Sequence, residues 1–203
     1  MTVPAAQERI PRPELTLPEA EAELVRELYT AADVILEYGS GGSTVLAAQL
    51  PDKLVFSVES DLEWAQMMRG YLAQNPPAKG TEVDVIWSDV GPTKEWGFPR
   101  TAKAWDRYAR YPLEVWDLKT FRAPDVVLVD GRFRVGCALA TGFRTQKPVT
   151  LLFDDYQRRK QYHVVEEYFG TPSYTGRMAR FEIIPMAVPA ERLLQIVEMM
   201  SRP

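Results

Sequence analysis

The chain has 203 residues, 46% hydrophobic and 26% charged, which suits one soluble domain with a sizeable core. Lys and Arg number 24 against 28 Asp and Glu, a formal net charge of -4, so no broad cationic face for nucleic acid is expected. The single Cys137 and single His163 exclude an internal disulfide, a Cys-rich zinc module and a multi-histidine metal centre.

Residues 1–15 hold Pro4, Pro11 and Pro13 without periodicity and read as an extended arm ahead of one domain over residues 16–203. Met1 to Glu14 lacks a signal-peptide core, and no apolar run approaches the ~20 residues of a membrane span. A cytoplasmic protein without a membrane partner is the expectation. Thr16-Leu17-Pro18-Glu19 fits a capping box, opening a helix that ends near Ala31 with Ala20, Leu24, Leu28 and Ala32 at helical spacing. Asp33 to Tyr38 is a β-prone run that stops at Gly39-Ser40-Gly41-Gly42, and Ser43 to Leu50 resumes as a helix.

Lys53 to Glu59 is the next strand, and Ser60-Asp61-Leu62-Glu63 is a second capping box opening a helix to about Ala73. Glu82 to Trp87 alternates as a third strand; Pro124 to Asp130 and Val149 to Asp154 read as buried strands. Helices are expected over residues 132–143, 156–169 and 190–200, and a further strand over Met178 to Ile184. An aromatic-rich insertion at about residues 90–123 is read either as a helical excursion with its own small core or as a wall over the site.

Strands alternating with helices predict an α/β protein: a Rossmann-like, doubly wound, mainly parallel sheet with helices on both faces. Ligands of such sheets bind beyond the carboxyl ends of the strands. Glu37, Glu59, Asp89, Asp130 and Asp154 all fall there.

The glycine loop poorly matches a dinucleotide fingerprint, because Thr44 stands where a third glycine is required. Glu37 would also repel a pyrophosphate, by roughly 3 kcal/mol at ~6 Å and an effective dielectric of ~20. A cationic ligand reverses that sign. Glu37-Tyr38-Gly39-Ser40-Gly41-Gly42-Ser43 resembles the first motif of class I S-adenosylmethionine-dependent methyltransferases, with Ser43 in place of the last glycine. The resemblance implies cofactor contacts from Glu37, Gly39, Ser40, Gly41, Glu59, Ser60 and Asp89. Glu37 would hold the ammonium directly or through water, Glu59 the ribose hydroxyls, and Asp89 the adenine amine.

On the acceptor side, the Asn/Asp-Pro-Pro-Tyr/Phe segment of enzymes acting on DNA or protein amides is replaced by Asp130-Gly131-Arg132-Phe133. Asp130 with Asp154-Asp155 is similar to the divalent-metal site of catechol-type O-methyltransferases. Asp130, Asp154 and Asp155 are therefore candidate Mg2+ ligands, and Asp130 or Asp154 a candidate general base. The alternative is that they pair with arginines such as Arg132, Arg134, Arg158 and Arg159. Arg132 and Arg134 are further candidates for recognising an acidic acceptor.

His163 reads as a surface or packing residue and Cys137 as a small core residue. The terminal Leu193-Leu194-Gln195-Ile196-Val197 face is expected to dock on the sheet edge or on a second copy, which would make a homo-oligomer. The functional expectation is methyl transfer to a small molecule, oxygen acceptors favoured. A methyltransferase-like binding protein without chemistry is the alternative, and a nicotinamide-dependent oxidoreductase ranks third.

Overall fold

The computed structural model describes residues 9–203, so the first eight residues of the expected arm lie outside the described region. Five parallel strands form the body of the sheet: β1 (Val34–Tyr38), β2 (Leu54–Glu59), β3 (Glu82–Trp87), β6 (Val126–Val129) and β7 (Val149–Phe153). Two small strands, β4 (Thr93–Lys94) and β5 (Phe98–Pro99), pair with each other outside it. An antiparallel pair, β8 (Ser173–Thr175) and β9 (Met178–Ile183), completes the sheet in the order β3-β2-β1-β6-β7-β9-β8. The order reverses between β1 and β6, and this switch point lies at the glycine loop.

Side-chain alternation along the buried strands divides the core between the two faces. On one face, Ile35, Val55, Val126 and Leu128 pack with Val25 and Tyr29 of helix α1 (Glu19–Ala31) and with Ala47 of α2 (Gly42–Ala48). Helix α3 (Leu62–Gln74) continues this layer through Ala65, Met68 and Leu72. On the other, Leu36, Tyr38, Phe56, Val127 and Val129 pack beneath the insertion and α5 (Arg134–Arg144). Every strand predicted from the sequence is present within a residue or two; the short β4, β5 and β8 carry too few apolar positions to be read.

The helix starts differ from the capping expectation. Pro18 is the N-cap of α1 and makes no side-chain capping bond, so the Thr16 box does not form. The buried face is Glu21, Val25 and Tyr29, one position on from the predicted stripe. Asp61, not Ser60, caps α3 by accepting the Trp64 N–H at 2.9 Å. The helix expected over residues 156–169 is a 3-10 turn, Lys160–Val165, followed by the single-turn α6 (Glu166–Phe169). The terminal helix α7 (Leu193–Met200) follows its own 3-10 turn. Ile196, Met199 and Met200 bury, and Gly136 of α5 allows close contact with Met200, so α7 docks on a helix and not on the sheet edge. Leu193, Leu194 and Val197 remain exposed. Among the described residues no helix is long and apolar enough to cross a membrane.

The insertion holds 3-10 turns and the four-residue α4 (Arg110–Leu113). It does not build a separate core: Tyr108, Tyr111 and Trp116 bury in the main cluster. The Tyr38 hydroxyl ties it to β1, donating to Pro112 O at 2.6 Å and accepting the Trp116 Nε1–H at 2.7 Å.

Candidate functional site

A cavity of about 1410 Å³ opens beyond the carboxyl ends of β1, β2, β3 and β6. The glycine loop, Glu59, Ser60, Asp89 and Asp130 line it, together with residues 91–97, Arg100 and Arg107 of the insertion. The insertion is thus a wall of the site. So is the arm, because Glu14 to Leu17 border the same space and cross Gly42, where a Cβ would meet the Glu14 backbone at 2.3 Å.

Gly39 makes the turn out of β1 with φ +108, a conformation L side chains rarely adopt. A Cβ there would lie 2.7 Å from Gly131 N, so the loops after β1 and β6 touch back to back. Any residue larger than glycine would force apart the two loops that shape the cavity.

Glu37 sits on the α1 face of β1, fully buried and absent from the cavity lining. Tyr29 Oη donates to its Oε1 at 2.7 Å and Thr44 Oγ1 to its Oε2 at 2.6 Å. This corrects the expectation of direct contact with a bound ammonium: period-2 alternation directs Glu37 beneath the loop. Burial raises its pKa, while the hydroxyl donors work the other way. Thr44 also accepts the Gly41 N–H at 3.0 Å, so the residue that spoils the dinucleotide fingerprint clamps the glycine loop to Glu37. The sequence gives no sign of Tyr29's role, and only the i,i+3 spacing of Gly41 and Thr44 hints at that of Thr44.

Glu59 does reach the cavity at the end of β2. Its Oε1 accepts the backbone N–H of Ser60 at 2.7 Å and of Asp61 at 2.8 Å, and its Oε2 that of Ser40 at 3.2 Å. Burial pushes its pKa up and these N–H donors pull it down. No cation pairs with it among the described residues. Ser40 Oγ and Ser57 Oγ lie 2.7 Å apart behind it, and Ser60 Oγ donates to Gly97 O at 2.9 Å. Asp89 also borders the cavity, but both its oxygens are engaged: Oδ1 accepts from Gly91 N–H at 2.9 Å and Oδ2 pairs with Arg107 at 2.5 Å. Asp89 is therefore already partnered at the position where the resemblance implies an adenine contact.

The acceptor-side carboxylates are assembled differently. Asp154 is 1% exposed and held bidentately by Arg177, at 2.9 and 2.8 Å. Asp155, in the left-handed region at φ 57, pairs with Arg159 at 2.7 Å and Arg177 at 3.2 Å. Neither lines the cavity. Asp130 does, and pairs with Arg134 at 3.1 Å. Burial, together with the charges of Asp154 and Asp155 and despite Arg134, pushes the Asp130 pKa up to about 7.

These donors do not fit a divalent cation, since guanidinium groups already occupy Asp154 and Asp155. Among the described residues no group of three acidic, His or Cys side chains is placed to hold a metal. The Mg2+ expectation is corrected on that ground. Asp154 as a base is corrected too, because it is sealed behind Arg177. Arg177 lies in the β8–β9 turn, too distant in sequence for proximity to reveal it.

Arg132 borders the cavity beside Asp130. His163 stacks on Tyr156 with ring centroids 4.8 Å apart and lies outside the cavity, and Cys137 is buried, as the packing readings expected.

A solved structure of a methyltransferase-like protein from Silicibacter pomeroyi is 58% identical, covers 95% of this chain and 99% of its own, and superposes with a TM-score of 0.93. The chain belongs to the class I methyltransferase-like family. The O-methyltransferase TomG from Streptomyces achromogenes, solved in complex with SAM, has the same fold at 16% identity, covering 85% of this chain and 82% of that one, with a TM-score of 0.56. Cofactor-bound Rv0187 from MTB shares it at 16% identity, 86% and 84% coverage and a TM-score of 0.57. No protein-family model matches the sequence, and neither does any curated protein.

Proposed function

We propose that this methyltransferase-like protein binds S-adenosylmethionine in the cavity and transfers its methyl group to an oxygen of a small molecule. The observation carrying this reading is the environment of Glu59: a cavity-facing carboxylate organised by neutral backbone N–H groups, with no cation paired to it among the described residues. Such a group suits the hydroxyl donors of a ribose, while Glu37 beneath the loop and Thr44 in place of a third glycine disfavour a diphosphate there. Gly39 adds a close backbone approach that a side chain would block. The buried Glu37 contributes negative potential from beneath the loop without touching the ligand.

The bound cofactor supplies an electrophilic methyl group. Methyl transfer then needs little from the protein beyond alignment and proton management. Asp130 is the cavity-lining acceptor-side carboxylate with a pKa near neutrality, so it is the group placed to take the acceptor's proton, while the cofactor's sulfur would leave as a neutral thioether when its methyl bond breaks. Arg134 holds Asp130 through Oδ1 and the backbone oxygens of Asp130 and Gly131, fixing its position for that transfer.

Turnover with labelled methyl donor across phenols, hydroxy acids and amines tests this reading. Oxygen methylation that rises with pH through about 7 and is abolished in Asp130→Asn is expected. Methylation confined to amines, or an Asp130→Asn variant of undiminished rate, would overturn the assignment. A second reading, a cofactor-binding protein without chemistry, is favoured by the closure of Asp154 and Asp155 by arginines. Cofactor binding without turnover on any acceptor class is its signature.

A further inference from the structure

Four arginines lie around the loops after β6 and β7, and three of them are paired with the carboxylates of those loops. Arg134, Arg159 and Arg177 hold Asp130, Asp155 and Asp154. Arg132 differs. Its guanidinium makes no hydrogen bond or ion pair with any described residue, and its Nε is buried without a partner. Burial and the neighbouring Arg134 and Arg159 charges lower its pKa, against a smaller opposing contribution from Tyr111 and Tyr162. Its position is nonetheless fixed. Phe133 follows it in the left-handed region at φ 51, with its ring buried against Tyr108 and Tyr111 at 5.2 and 5.4 Å between centroids. Gly131 precedes it, wedged against Gly39. A buried donor left without a partner on a cavity wall is a group awaiting an acceptor from the ligand.

We propose that Arg132 is the carboxylate receptor of the cavity, pairing its guanidinium with the carboxylate of a bound ligand. The planar fork of Arg matches a carboxylate bidentately. Asp130, adjacent on the same wall, disfavours an anion of higher charge. Two ligands offer the group: the amino-acid end of the cofactor, and an acceptor that is itself an acid. The first source rests on the cofactor reading above; the second does not.

Titration calorimetry on wild type, Arg132→Gln and Arg132→Lys distinguishes them with three probes. These are S-adenosylhomocysteine, 5′-methylthioadenosine (which lacks the amino-acid carboxylate) and 4-hydroxybenzoate. If the cofactor's carboxylate seats on Arg132, Arg132→Gln weakens S-adenosylhomocysteine about tenfold and leaves methylthioadenosine unchanged. If the acceptor's does, 4-hydroxybenzoate loses that factor and S-adenosylhomocysteine keeps its affinity. Arg132→Lys retains part of the affinity in either case. Binding of 4-hydroxybenzoate that depends on Arg132, in a protein that ignores S-adenosylhomocysteine, would sink the cofactor reading and leave this one standing. Because the guanidinium has no partner, Arg132→Gln should melt no lower than wild type. A lowered melting temperature with all ligand affinities unchanged would make Arg132 structural and overturn the proposal. Failure of wild type to bind either carboxylate probe would overturn it as well.

Discussion

The two halves of the strand-end rim solve one problem in opposite ways. Under the glycine loop and at the end of β2, Glu37 and Glu59 are satisfied by hydroxyls and backbone N–H groups, and no cation pairs with either among the described residues. At the ends of β6 and β7, Asp130, Asp154 and Asp155 are held by Arg134, Arg159 and Arg177. Neutral donors stabilise a carboxylate without cancelling its charge, so the first half stays attractive to a positively charged ligand. Guanidinium groups cancel it at Asp154 and Asp155, so the second half is a scaffold apart from the cavity-lining Asp130 and Arg132.

The scaffold half is where removing a partner should cost most. Arg177→Leu leaves the buried Asp154 carboxylate without its bidentate partner, and about 3 kcal/mol of stability should be lost. The Arg177→Leu/Asp154→Leu double variant should recover much of that in urea melts; a double variant no better than the single one would mean the pair is not a closed unit. Next comes the loop contact: Gly39→Ala should cost about 2 kcal/mol through its positive φ and the clash with Gly131, and cofactor affinity should fall with it.

Asp130 gives a smaller, pH-dependent effect. Its folded pKa of about 7 lies above the ~3.9 of an unfolded aspartate, so the folded state binds the proton more tightly. The resulting stability is complete below pH ~4 and is lost as pH rises through about 7. With the side chain 34% exposed and screened, wild type should lose about 1 kcal/mol relative to Asp130→Asn between pH 6 and 8.5. Parallel pH curves for the two proteins would remove the perturbation. The smallest effect concerns metal: Mg2+ and EDTA should leave melting temperature and turnover unchanged, and a Mg2+-dependent gain in either would show that the arginines yield to a cation.

The fold was legible because its central strands are buried on both faces and read as continuous apolar runs between glycine and acidic punctuation, while the edge strand β3 alternates. The rim was legible for a related reason: each acidic residue lies within two residues of a strand's carboxyl end. What the sequence hid was direction and partnership. Glu37 looked like a ligand contact, yet alternation along β1 puts it on the same face as Ile35, under Tyr29. Asp154 and Asp155 resembled a metal site because their counter-ion, Arg177, comes from a β8–β9 turn that only the antiparallel end of the sheet brings near. Thr44 looked like a defect in a glycine motif and is the residue that joins the loop to Glu37.

The charge asymmetry of the rim is tested most directly by calorimetric titration of S-adenosylhomocysteine into wild type and Glu59→Ala, with NAD as the comparison ligand. Micromolar binding that falls at least ~30-fold in the variant, with no heat from NAD, is the predicted result. Equal affinity in the two proteins, or binding of NAD in preference, would contradict it.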